Sequence, residues 1–149
     1  MQVLLKDWQQ FWCENSEIWG ARFDYREAGP QLLMQAFLQR VINGGGRIDR
    51  EYGLGRRQTD LLITYPIHPV RQWIVIELKV AKRGLAQVLM DGLKQTRDYM
   101  DQCGADEGHL ILFDLTPGRS WEERIYSREE ESVPANGHLT GHSITVWGC

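Results

Sequence analysis

Asp60, Glu77 and Lys79 are the residues whose types and spacing could do chemistry together. Glu77 and Lys79 stand two apart inside "WIVIELKV" (residues 73–80), an apolar run that reads as a strand. Their side chains therefore leave one face, while Ile76, Leu78 and Val80 leave the other. A charge inside a buried strand is costly unless it is paired or holds a cation. Asp60 opens the neighbouring run "TDLLITYP", and a hairpin across "YPIHPV" could carry it to Glu77. Two carboxylates suit Mg²⁺, which takes few protein oxygens, keeps several waters and leaves positions for phosphate oxygens and an attacking water. A lysine beside them could orient or deprotonate that water and offset charge developing on the phosphate. The same Glu77 and Lys79 would equally suit an ordinary ion pair at the solvent end of the strand, and their spacing alone does not choose.

The elements that must position these residues follow from periodicity. Leu4, Leu5, Trp8, Phe11 and Trp12 fall at helical spacing and predict an amphipathic helix over 3–19. A second helix is expected in "GPQLLMQAFLQRVINGGG", with Pro30 in its first turn and a core stripe of Leu33, Phe37 and Val41. Its glycines read as a helix stop; no Lys-Ser or Lys-Thr follows to make a phosphate loop. "RIDREYGL", "RRQTDLLITYP" and "RQWIVIELKV" then read as three successive strands. Helix resumes in "GLAQVLMDGLKQTRDYMDQCG", with Leu85, Leu89, Leu93 and Met100 as the buried stripe and Gly104 as the stop. "GHLILFDLTP" is another apolar strand, Ser120 and Glu123 fit a capping box or else an edge strand, and a final strand is expected over 142–148. The class is α/β, a mixed central sheet flanked by helices in the order αβββαβ. One domain is expected over 1–149, with its core at about 27–115 and an acidic C-terminal extension.

Composition narrows the partners. No run approaches the roughly 20 apolar residues of a membrane span, and "MQVLLKDWQQFW" lacks a secretory leader pattern, so a cytoplasmic protein without a membrane partner is expected. Cys13, Cys103 and Cys149 lie far apart without CxxC spacing and read as free thiols. His138 and His142 have HxxxH spacing near Cys149, but in a polar, Gly-containing stretch that reads as a surface loop rather than a metal site. The net charge of −3 hides a segregation: residues 40–97 carry eleven basic and five acidic side chains, and residues 98–149 carry three and ten. A basic middle suits a phosphate-backbone partner, while the acidic tail with "SREEES" suits a solvated face.

Asp60, the Glu77-x-Lys79 tripeptide one strand later and the order of elements resemble the PD-(D/E)XK nuclease superfamily, and "QTRDY" resembles the QxxxY motif of its RecB-like branch. The resemblance implies a restriction-endonuclease-like core and a DNA nuclease that uses Mg²⁺, or Mn²⁺ in its place. It makes Asp60 and Glu77 metal ligands, with Glu27 as a further acidic ligand, and Lys79 the residue that positions water. Gln95 and Tyr99 would line the catalytic site, with Gly92 on their helix permitting close approach to the sheet. Arg56, Lys82 and Arg83 would contact DNA, Arg56 because it shares strand parity with Asp60. The wording "AFLQRVINGGGRIDREYGLG", "RRQTDLLI" and "HLILFD...SWEERIY" is also similar to the C-terminal nuclease-like domain of AAA-type ATPase-like proteins. That would add an ATPase domain in cis or trans as partner, although the chain holds no GxxxxGK[ST]. A homodimer stays open. The rival expectation is a non-catalytic module of the same fold that docks nucleic acid or protein.

Overall fold

The computed structural model describes the backbone of residues 1–22, 28–41, 45–54, 57–131 and 142–149, and the side chains of 1–15, 29–39, 45–50, 60–131 and 142–149. Helices α1 (Gln2–Arg22) and α2 (Ala28–Val41) precede strands β1 (Arg47–Leu54), β2 (Arg57–Ile67) and β3 (Val70–Ala81). Helix α3 (Leu85–Cys103), β4 (Glu107–Asp114), the short α4 (Trp121–Arg124), β5 (Tyr126–Glu131) and β6 (Ser143–Gly148) follow. The six strands form one mixed sheet in the order β1-β2-β3-β4-β6-β5, so the α/β class and the helix-flanked mixed sheet expected from the sequence are present. β1, β2 and β3 are an antiparallel meander, α3 carries the chain over to β4 parallel to β3, and β6 lies parallel to β4. No helix among the described residues is long and apolar enough to cross a membrane.

Strand alternation divides the core in two. Leu61 and Ile63 of β2, Ile74, Ile76 and Leu78 of β3, and Ile111 and Phe113 of β4 face α1 and α2, meeting Leu5, Trp8, Trp12, Met34 and Leu38. Leu62, Val75, Leu110, Ile144 and Val146 face α3 and meet Tyr99 and Met100. The expected stripe of α2 is displaced by one position: Met34 and Leu38 are fully buried, whereas Leu33 and Phe37 pack only partly, and the side chain of Val41 lies outside the described residues. Gln9 fastens α1 to the far edge of the sheet, donating from Nε2 to the carbonyls of Tyr126 at 2.9 Å and Gly148 at 2.5 Å.

Three local expectations are met and two are refined. Gly104 ends α3 in the left-handed conformation at φ 66°, the Ser120–Glu123 capping box starts α4, and the three cysteines are free. The hairpin between β2 and β3 is tighter than "YPIHPV" suggested, with only His68 and Pro69 between Ile67 and Val70. The acidic "YSREEE" is mostly solvated, as expected, but it is also a strand at the sheet edge, where charge discourages pairing with a further chain.

Two adjacent ladders part company at one point. β2 stays paired with β1 down to Leu54↔Arg57, but its pairing with β3 ends at Leu61↔Ile76. β3 continues alone along β4 from Glu77↔Leu110 to Ala81↔Asp114. The sheet thus splits, and the residues at the fork are Asp60 on one side and Glu77 to Lys79 on the other.

Candidate functional site

The fork frees a backbone donor, and Asp60 takes it. The Leu78 N–H, which no longer has a β2 carbonyl opposite, donates to Asp60 Oδ2 at 2.8 Å. The carboxylate thereby replaces a ladder acceptor and is held beside Glu77. Gln31, reaching through from α2, approaches the Asp60 carbonyl at 3.3 Å and Oδ1 at 3.4 Å.

Glu77 is not a surface residue. It is 3% exposed, and its Oε1 accepts from Lys79 Nζ at 2.6 Å, while Oε2 is buried with no hydrogen-bond partner among the described residues. Burial, reinforced by the nearby Asp60 carboxylate, pushes its pKa from 4.5 up to about 7 against the opposing pull of Lys79. Of the two readings left open by the spacing, the exposed surface pair is excluded for Glu77; Lys79 keeps 19% of its side chain exposed and reaches the rim.

The helix opposite completes the rim. Lys79, Val80, Val88, Asp91, Lys94, Gln95, Asp98 and Tyr99 line a groove of about 590 Å³ between α3 and the free end of β3. Gly92 lets the helix come this close, because a Cβ there would lie 2.8 and 2.9 Å from the Leu110 methyls and 3.2 Å from Lys79 Cγ. Close approach, expected of Gly92 from the sequence, is therefore its role. α3 buries Gly92, Thr96, Tyr99 and Met100 most deeply, whereas Leu89 and Leu93 of the expected stripe pack at the margin and Leu85 stays half-buried.

Asp60, Glu77 and Lys79 are thus brought together, and Gln95 and Tyr99 share a groove with Lys79. Lys82 and Arg83 are exposed in the turn that leaves β3, at the same end of the sheet. Glu27 and Arg56 lie outside the described residues, as does His138. His142 sits 2.8 Å from Asp101, at the opposite end of β6 from the buried Cys149; six intervening residues at about 3.3 Å each keep the two too far apart to share an ion. Sequence reasoning missed Asp91, Lys94 and Asp98, although their spacing from Gln95 puts them on one helix flank. It also missed Gln31, for which no local signal exists, since α2 belongs to the other face. A buried polar pair went unnoticed as well: His109 is 0% exposed, with Nδ1 accepting from Trp147 Nε1 at 3.3 Å and Nε2 facing Glu107 at 2.8 Å.

A divalent cation fits the donor set at the fork. Glu77 Oε2 is a buried carboxylate oxygen without a partner among the described residues, and the burial and the Asp60 repulsion that together raise the Glu77 pKa are what a cation between the two carboxylates would relieve. The set is sparse: among the described residues no three His, Cys, Asp or Glu side chains cluster as metal ligands, so most of the ion's shell would be water or substrate. Compared with family models, with curated proteins and with solved structures, the chain matches none.

Proposed function

We propose that this protein is a Mg²⁺-dependent DNA nuclease of restriction-endonuclease-like fold, of the PD-(D/E)XK kind its motifs resemble. The observation that carries this reading is the fork itself. Asp60, fixed on the Leu78 N–H, faces a buried Glu77 whose second oxygen lacks a partner among the described residues, with the Lys79 ammonium at the groove rim. In this role Asp60 and Glu77 hold the ion, with Mn²⁺ able to replace Mg²⁺. The bound ion would supply a Lewis acid for the phosphoryl oxygen and an acidified water. Lys79 orients the attacking water and offsets charge as the phosphate passes through its crowded transition state. Gln95 and Tyr99 border the strand being cut, and Lys82, Arg83 and Lys94 supply cationic contacts to flanking phosphates. Glu27 and Arg56 keep the roles the motif resemblance gives them, as a further ligand and a phosphate contact.

The reading is tested by incubating labelled single-stranded, duplex and branched DNA with Mg²⁺ or Mn²⁺, for wild type and for Asp60→Asn, Glu77→Gln and Lys79→Met. Cleavage by wild type alone, abolished by EDTA, is expected. Wild type inert on all three substrates with both ions defeats it. One observation favours the second reading, a non-catalytic docking module working with an AAA-type ATPase: only two carboxylates meet at the fork among the described residues. DNA affinity that is salt-sensitive and survives Glu77→Gln, without cleavage, would support that module instead.

A further inference from the structure

Arg71, Trp73, Glu77 and Lys79 are all odd-numbered residues of β3, so they leave the same face of the sheet. Strand register adds neighbours to that face: Trp73 lies opposite Thr64 and Arg71 opposite Pro66 on β2, while Arg47 and Asp49 on β1 lie opposite Thr64 and Leu62. All of these except Glu77 and Lys79, together with Gly45, line a second groove of about 410 Å³ on that face. The two grooves flank one buried apolar cluster: Tyr99 lines the first, Leu62 lines the second, and Val75 and Met100 of that cluster are buried with them, with Trp73 half-buried at its edge.

We infer that this second groove is a track for a single-stranded stretch of nucleic acid, set on the same face of the sheet as the fork but separated from it by the buried cluster under α3. The inference rests on the nuclease reading for what happens at the fork. The groove's chemistry is that of a single-strand track: an indole ring for a base to stack on, a floor of Leu62, Thr64 and Pro66, and two arginines against one aspartate for the backbone. Asp49 holds Arg47 by accepting from Nε at 2.8 Å and Nη2 at 2.7 Å, and Arg71 is exposed. A volume of about 410 Å³ falls near the low end of small-ligand pockets, which run roughly 300–1,000 Å³, and has room for an unstacked base. The substrate class that follows is DNA with a single-stranded end or flap, its free strand lying over Trp73 and Arg71.

Binding of a labelled oligothymidylate of about 12 nucleotides and of a blunt duplex is compared by anisotropy in EDTA, which suppresses cleavage. Trp73→Leu, which keeps an apolar body against Val75, and Arg71→Glu are each expected to weaken oligothymidylate binding about tenfold or more while changing duplex binding little. Arg71→Gln should reduce the slope of log affinity against log salt by about 0.7, the value for one phosphate contact on a single strand. Oligothymidylate should quench tryptophan emission in wild type and less so in Trp73→Leu. Unfolding midpoints of the Arg71 variants, altered only at an exposed position, check the fold. Unchanged oligothymidylate affinity in Trp73→Leu and Arg71→Glu, or equal loss on the duplex, overturns the track even if cleavage at the fork is intact. Conversely, Trp73- and Arg71-dependent binding by a protein that never cuts keeps the track and removes the nuclease.

Discussion

Replacing Glu77 by glutamine separates the electrostatics of the fork from its catalysis. With its pKa lifted from 4.5 to about 7, the folded protein binds the Glu77 proton more tightly than the unfolded chain does. The stability this confers is complete below pH 4.5, is lost as the pH rises through about 7, and does not change further above that. A shift of that size corresponds to about 3 kcal/mol at 1.36 kcal/mol per unit, a large part of the roughly 5–15 kcal/mol that holds a domain together. Glutamine keeps the shape and cannot ionise, so Glu77→Gln should gain on wild type by about this amount between pH 4 and pH 9, as judged from the shift. The assay is urea unfolding in EDTA across that range, with the difference between the two proteins plotted against pH. A cation should then reverse the loss where Glu77 is ionised: Mg²⁺ at a hundred times its Kd would return about 2.7 kcal/mol to wild type and nothing to Glu77→Gln. A difference that stays flat, or grows toward acid pH, refutes the buried and repelled carboxyl on which the fork's chemistry depends.

Asp60→Asn and Asp60→Ala should both abolish cleavage, but only alanine leaves the Leu78 N–H without its acceptor, so it alone should lose about 1–3 kcal/mol in urea unfolding. Gly92→Val would force a side chain onto Leu110 and the Lys79 stem; overpacking of about 1–3 kcal/mol, partly offset by leaving glycine's poor helix propensity, should appear in Tm, together with a fall in kcat as Lys79 is moved. Glu107 behaves oppositely to Glu77. Its hydrogen bond with His109 holds its pKa low, so it adds stability above pH 4.5 that is lost as the pH falls through the depressed folded value. Glu107→Ala should therefore flatten the acid limb of the unfolding profile and leave DNA cleavage unchanged.

The meander, the crossover through α3 and both apolar strands were legible because their side chains carry the period. What escaped did so for physical reasons. Hydrophobicity marked Leu85, Leu89 and Leu93 on α3, yet the helix packs deepest at Gly92 and Thr96, whose small size matters and whose polarity hides them. On α2 the run Leu32 to Met34 and the pair Phe37–Leu38 allow either of two adjacent stripes, and only the tertiary position of α1 chooses Met34 and Leu38. β5 has no apolar face to betray it, since it is an edge strand whose side chains are mostly in water. At the site, Glu77, Lys79 and Asp60 could be named, but the bond from Leu78 N–H to Asp60 could not. That bond exists because β2 follows β1 away from β3, and register is a property of the sheet rather than of any segment.

Three departures from good folding practice coincide at this spot. The sheet gives up its β2–β3 ladder beyond Leu61, a carboxylate is buried with an oxygen unpartnered among the described residues, and α3 spends a glycine in its interior. Each could be removed by a simple change: an apolar residue at 77 would extend the hydrophobic strand, and alanine at 92 would strengthen the helix if the sheet lay slightly farther away. A module that only docked a partner through its surface would have no use for Glu77, which is buried, although Asp60 is only partly so. The proposed cation, held against two carboxylates with a lysine at the rim, would account for all three at once.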